Sequence, residues 1–431
     1  MSETSSPSAV ALVEIPDTHR DAVLLGDTAY RSDPAAVFRS LRHRHGPVAP
    51  VLLDGGVPVW LVLGHREIQH ITSDSTVFAR RSDRWRLAPH LPPEWPLWPM
   101  VGGGVAGDSL LYTEGEAHQR RASAMSAALR GVDHIEFRAR CGDFGEHLVN
   151  TFAAAGEAEL MSAYALPLPA MATGWALGVD PEDIPELVEA FLVMLAGGPD
   201  AAAGQQRGRT VITDLVQRVR VRPGANVASR LAADPAALSD SQLVEDLLVA
   251  IIAAHQTTAY WMGNAARLML TATPFTDTFS RGRLPVGTAL HEVLWDDTPT
   301  QVFAGRWTTC SVPLGDYLIP EGDLVLLGLA AANTDPHIRP DPAAGVCGNR
   351  SYLSYSHGPH GCPMPARDLA ETIATTGIEI LLDRLPDLHL ACKPDQLRWQ
   401  PMVWMRGLAA LPVQFTPTSP ATRIPGGSLW T

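Results

Sequence analysis

The stretch Ser241–Leu270 constrains this chain most. Leu243, Leu247, Leu248, Ile251, Ile252 and Leu268 spread nearly all round a helix. Ser239 and Gln242 are spaced as a capping box at its start, and Pro274 lies just beyond its end. A helix apolar on most sides has no solvent face and belongs at the centre of a larger body. It is not a membrane span. The longest unbroken apolar helix-like run, Leu247–Ala254, is far shorter than the roughly 20 residues a bilayer requires. Gly115–Leu129, Pro185–Ala196, Thr210–Val219 and Ala366–Leu385 also pattern as helices, and short strands are expected at Val57–Leu63, Leu324–Leu329 and Val413–Phe415. The expected class is therefore mainly α with small β-sheets, in one large domain over residues 21–416. Residues 1–20 are expected as a flexible arm and 417–431 as a tail.

Composition excludes several functions. Of 431 residues, 33 are Lys or Arg and 46 are Asp or Glu, a formal net charge of −13. That balance disfavours a nucleic-acid binder or a polybasic membrane anchor. The five cysteines, Cys141, Cys310, Cys347, Cys362 and Cys392, are odd in number and widely spaced, with no CxxC. They make neither a disulfide scaffold nor a zinc ribbon and fit a reducing cytoplasm. The N-terminus is polar and shows no signal peptide.

Arg80–Gly107 is the most irregular stretch. Trp85, Trp95 and Trp98 stand among Pro92, Pro93, Pro96 and Pro99, ahead of Gly102-Gly103-Gly104. Two readings compete: a lid over a pocket, or a surface loop pinned by its tryptophans.

Chemistry concentrates in Tyr355-Ser356-His357-Gly358-Pro359-His360-Gly361-Cys362-Pro363-Met364-Pro365-Ala366-Arg367. Zinc would need a second ligand pair, and none is in view. Cys362 sits before a helix, whose N-terminal dipole and free N–H groups favour thiolate. One sulfur in a stiff loop of peptide donors suits a single axial bond to haem iron.

The run resembles the haem-binding loop of the cytochromes P450, Phe-x-x-Gly-x-His/Arg-x-Cys-x-Gly. Gly358, His360 and Cys362 match, Tyr355 stands for the Phe and Met364 for the second Gly. Ala331-Ala332-Asn333-Thr334-Asp335-Pro336 resembles the family's AANRDP, Ile319-Pro320-Glu321-Gly322 its IPxG turn, and Arg406-Gly407-Leu408 with Leu411-Pro412-Val413 its RGLxxLPV close. Together these cover about Asp21 to Thr416. The likeness is to bacterial, actinobacterial-type members, and within them to an atypical subgroup. Glu292-Val293-Leu294-Trp295 holds Trp295 where the family has the Arg of Glu-x-x-Arg, and no second network Arg can be placed by spacing. We expect Trp295 to replace that network by bulk and its one indole N–H. His337 and Arg339 are expected on a loop surface.

The resemblance implies haem b between the central helix and the Cys362 loop, with Cys362 as axial ligand to the iron. Tyr355, Gly358, Gly361, Ala253 and Ala254 would border it. Ala253-Ala254-His255-Gln256-Thr257 aligns with Ala-Gly-x-Asp/Glu-Thr, which puts Thr257 at the oxygen-side hydroxyl and leaves Gln256 or His255, with water, to relay protons. The competing reading of Thr257 is a hydroxyl bonded back to its own helix. His118, Arg306 and His360 are expected on the haem carboxylates, with Arg120 or Arg121 as weaker counterparts. The pocket is expected between the Arg80–Gly107 loop, the 185–219 region, and Ala250, Ala253 and Ala254.

The implied activity is oxidation of a small organic molecule with O2, in bacterial secondary metabolism and in the cytoplasm. No flavin or iron–sulfur sequence is fused to the chain, so a separate ferredoxin and ferredoxin reductase are expected as electron donors. A second reading is aryl cross-linking of a peptide or aromatic natural product, motivated by Gln256 and the tryptophan loop. A third is a non-catalytic haem-binding partner protein, motivated by the missing Arg.

Overall fold

The computed structural model describes residues 13–102, 109–196, 199–271, 286–341 and 348–419. Eleven strands are found among them: β1 (Val23–Leu24), β2 (Val48–Leu53), β3 (Val57–Val62), β4 (Phe78–Ala79), β5 (Glu157–Glu159), β6 (Phe303–Thr308), β7 (Val312–Leu314), β8 (Tyr317–Ile319), β9 (Leu324–Leu327), β10 (His389–Leu390) and β11 (Pro412–Gln414). The longer helices are α1 (Pro34–His45), α2 (His65–Ser73), α3 (Gly115–Arg130), α4 (His134–Phe152), α5 (Pro167–Leu177), α6 (Ile184–Ala196), α7 (Ala201–Val221), α8 (Asp240–Thr271), α9 (Val286–Asp296) and α10 (Met364–Arg384).

α8 is the axis of the molecule. Ser239 and Gln242 form the expected reciprocal cap: Gln242 N–H donates to Ser239 Oγ at 3.2 Å and Ser239 N–H to Gln242 Oε1 at 3.3 Å. α5, α7, α9 and α10 all pack on α8, which explains its lack of a polar face. Pro274 lies outside the described residues.

A six-stranded sheet runs β1-β2-β3-β9-β6-β4 beside the helices. β2 and β3 form an antiparallel hairpin, with Val51 opposite Val59, and β3 continues parallel into β9. Both hairpin strands are buried almost throughout, so their apolar residues run on without alternation. That is why β2, with its Pro50, is not legible as a strand from pattern alone. The strand at 324 ends at Leu327, and Leu329–Asn333 is a short helix.

One further expectation needs correction, and one open alternative is decided. The loose arm does not extend to residue 20: Asp17–His19 is a helical turn, and His19 is buried with Nε2 3.0 Å from Val59 O. The tryptophan loop is a pinned cover. Trp85, Trp95 and Trp98 contact one another with ring centroids 5.4–5.8 Å apart, and Trp95 Nε1 donates to Asp54 O. Residues 103–107 of that stretch lie outside the described residues. Among the described residues no helix is long and apolar enough to cross a membrane.

Candidate functional site

One cavity of about 610 Å³ lies between α8 and the Cys362 loop. On the helix side, Ala250, Ala253, Ala254, Thr257, Thr258 and Trp261 border it. Their spacing is one helical stripe. Ala253 is exposed within an otherwise buried helix, and the surface it exposes is this cavity. Opposite stand Tyr355, Gly358, Pro359, His360, Gly361, Cys362 and Pro363.

The loop is held by its own backbone. Cys362 N–H donates to Tyr355 O at 2.9 Å and Gly361 N–H to Gly358 O at 2.9 Å. Gly358 has φ +72°, and a Cβ there would come within 2.2 Å of Thr72 O on α2. Only glycine satisfies both constraints. Ser356 also takes a positive φ of 59°, a strained choice for a residue with a Cβ. Arg367, quoted in the motif but given no role there, donates Nε to Cys362 O at 2.7 Å and covers the Tyr355 ring.

Burial pushes the Cys362 thiol up to about 11, against a smaller opposing pull from Arg367. A bond to a cationic metal is what would favour sulfur in its deprotonated form.

A second feature is an excess of buried positive charge. Arg80 and Arg306 are 0% and 2% exposed, and each carries a buried Nη2 with no partner among the described residues. Arg80 Nε donates to Leu111 O and Nη1 to Ala304 O and Gly305 O; Arg306 Nη1 donates to Gly305 O at 2.9 Å. Gly305 (φ +117°) allows this approach, since a Cβ would meet Arg80 Nη1 at 2.2 Å. His360 borders the cavity with a buried, partnerless Nδ1 and stacks on His118 at 3.7 Å between ring centroids. Burial, and then Arg80, His118 and Arg306, push its pKa far down. Burial likewise lowers Arg80 to about 10, and puts Arg306 well below its usual value. Unpaired buried cations are costly and call for anions. Two arginines and a histidine with open N–H valences, beside a cavity floored by one sulfur, fit a flat dicarboxylate macrocycle with a single axial ligand. Haem b is that group.

His118, expected on the haem carboxylates, is corrected: it borders the cavity, but its ring nitrogens face backbone carbonyls, Leu110 O at 3.0 Å and Pro359 O at 3.1 Å. It ties the Cys362 loop to α3. Arg120 is corrected: it is exposed and donates to Ala236 O. Arg121 is corrected too. It is 1% exposed and engages Asp246 of α8 through Nε at 2.9 Å and Nη2 at 2.6 Å. Arg80 was missed; nothing in the motifs marks it.

The relay expectation also changes. His255 does not border the cavity; its Nε2 lies 3.0 Å from Leu166 O, and burial lowers its pKa to about 4. Gln256 is wholly buried, has no hydrogen bond from either amide atom, and does not border the cavity. Thr257 does border it, with its hydroxyl bonded back to Ala253 O. Of the described residues of the tryptophan loop only Pro99 and Met100 border the cavity, and its tryptophans do not, so they give no support to aryl coupling.

At Glu-x-x-Trp, the expected replacement is present and larger than expected. Trp295 is 1% exposed and donates Nε1 to Asn349 O at 2.9 Å. His291, one turn earlier, reaches Tyr352 Oη at 2.7 Å and Glu371 Oε1 at 3.0 Å. Arg339, expected on the surface, is 8% exposed, lies over the Trp295 ring and pairs with Asp296. His337 is on the surface as expected. Among the described residues no group of three or more His, Cys, Asp or Glu could hold a bare metal ion.

This is the geometry of a haem-thiolate protein, and comparison agrees. No protein-family model matches the chain. It is 27% identical to cytochrome P450 107B1 of Saccharopolyspora erythraea over 93% of this chain and 98% of that protein. It is 27% identical to the cytochrome P450 monooxygenase PikC of Streptomyces venezuelae over 90% of this chain and 92% of that protein. The solved structure of CYP154C4 from Streptomyces sp. W2061 superposes with a TM-score of 0.83 at 26% identity, covering 91% and 97% of the two chains. The chain has the cytochrome P450 fold and is similar to bacterial cytochromes P450 along nearly its whole length: an oxidoreductase with haem b, served by a redox partner protein.

Proposed function

We propose that this P450 inserts oxygen into a small organic molecule of bacterial secondary metabolism, in the cytoplasm, with electrons from a ferredoxin and its reductase. The observation that carries the reading is one cavity bordered by Cys362, by a stripe of small residues on α8 and by histidines 118 and 360, with the open valences of Arg80 and Arg306 beside it. Relatives support the metabolic setting: one is named 6-deoxyerythronolide B hydroxylase, from Saccharopolyspora erythraea.

When bound, haem supplies reductive activation of O2. Cys362 would hold it through sulfur, and Arg80, Arg306 and His360 would pair with its carboxylates. Pro359, Gly361, Ala253 and Ala254, which border the cavity with small or flat surfaces, would leave room for it. Thr257, by donating to Ala253 O, turns its oxygen lone pairs outward, so it accepts a proton's hydrogen bond from a cavity water rather than supplying one. Proton supply then runs through water along Thr257 and Thr258, whose Oγ1 has no protein partner. The apolar walls, from Leu248 to Ile373, exclude bulk water from the reacting centre.

The test is turnover with a bacterial ferredoxin and reductase under isotopically labelled O2, using a ligand found by its spin-state shift. One labelled oxygen in the product is the expected result. Loss of two hydrogens without oxygen gain would favour aryl cross-linking. Absence of turnover in a protein that binds carbon monoxide normally would favour the non-catalytic reading.

A further inference from the structure

The cavity wall is apolar except at a few places. Of its basic and acidic side chains among the described residues, His118, His360 and Arg367 belong to the haem end. The remaining two, Glu245 and Asp246, lie near the start of α8. Asp246 is fully used: Arg121 takes both its oxygens, and Leu110 N–H also donates to Oδ1 at 2.8 Å. Glu245 differs. It is 5% exposed and borders the cavity, and Arg209 of α7 pairs with Oε1 alone. No protein hydrogen bond among the described residues reaches Oε2. Gln205, one turn before Arg209, adds a neutral polar group to the same wall.

A carboxylate oxygen on the cavity wall with no protein partner among the described residues is open to a cationic ligand, which gains the attraction in an otherwise apolar pocket. Its place on the helix sets the ligand's length. Glu245 and Thr257 are 12 residues apart on one continuous helix, and at 1.5 Å per residue they stand about 18 Å apart along its axis. A molecule oxidised beside Thr257 and held by Glu245 must span most of that distance.

We infer that Glu245 is a specificity-determining residue, and that the substrate is an elongated, mainly apolar molecule with a positively charged nitrogen at the end remote from oxidation. The inference rests on the monooxygenase reading. Arg209 orients the carboxylate through Oε1 while leaving Oε2 to the ligand. A purely structural pair between α7 and α8 would affect stability alone, with no preference for ligand charge.

The test compares two probes of equal chain length on the haem-loaded protein: decyltrimethylammonium, which cannot bond to iron, and decanoate. Affinity is read from the spin-state shift. Wild type should prefer the ammonium probe by at least about tenfold, through charge attraction alone, since a quaternary nitrogen donates no hydrogen bond. Glu245→Gln should bring the two within about twofold. Arg209→Gln, which leaves Glu245 with both oxygens open, should widen the preference. No preference in wild type, or an unchanged preference in Glu245→Gln, overturns the inference. If Glu245→Gln fails to fold, Arg209→Gln decides: a narrowed or unchanged preference overturns it as well. The carbon monoxide spectrum of each variant separates failure of this inference from failure of the haem-thiolate reading, since only the latter alters that spectrum in wild type.

Discussion

Arg80 and Arg306 show how single side chains report a missing partner. Each is buried, each has a free Nη2, and Glu114 is the one carboxylate whose charge raises the pKa of both. Hydrogen bonds to charged groups contribute about 1.5–3 kcal/mol. Arg306→Leu, or Arg80→Leu, should therefore weaken haem retention by roughly tenfold or more, read as the rate of haem transfer to an acceptor apoprotein. His255 gives a pH prediction. Its folded pKa of about 4 lies below the unfolded value of 6.5, so the unfolded chain binds the proton first as pH falls. Stability from this group is complete above about 6.5 and declines toward 4, by about 3 kcal/mol at most. His255→Asn should flatten the fall of Tm over that window. An unchanged pH profile would contradict the assignment.

Between elements, three couplings carry the site. The Arg121–Asp246 pair joins α3 to α8 and is buried on both sides. Arg121→Met leaves Asp246 uncompensated and should cost about 3–5 kcal/mol in chemical denaturation, whereas an Arg121→Met/Asp246→Leu double variant should recover much of it. The second coupling holds segment 349–355 to α9 without the family's arginine. Trp295 donates to Asn349 O, His291 meets Tyr352, and Ser354 Oγ and Asn333 Nδ2 both donate to Leu294 O. His291→Phe should speed decay of the thiolate-type carbon monoxide complex severalfold, and Trp295→Arg should not improve haem binding. A Trp295→Arg protein that binds haem much better would refute this arrangement. The third is α8 itself, whose cap and cavity stripe were legible because both obey local spacing. His255 and Gln256 were misplaced by motif alignment, although a turn of about 100° per residue already sets them off the face of Ala253, Ala254 and Thr257. Arg121 shares a face with His118, yet its partner is 125 residues away and no local pattern reveals it.

Across the whole molecule, the sheet and the helices divide the work. β6 brings Arg306, and the residue after β4 is Arg80, so the six-stranded sheet delivers the cations; α8 and the loop before α10 deliver the two faces of the haem slot. The sequence motifs mark the second set because a sulfur ligand and a close-packed loop demand particular residues at fixed spacing. Of the first set they mark Arg306 but miss Arg80, because a buried arginine can be supplied from any nearby strand. The account therefore stands on Cys362 and its cavity. The direct measurement is the carbon monoxide difference spectrum of the reduced, haem-loaded protein, in wild type and Cys362→Ser. The red-shifted thiolate-type band is expected in the first and its loss in the second. A nitrogen-ligand-type band in wild type, or an identical spectrum in both proteins, would contradict it.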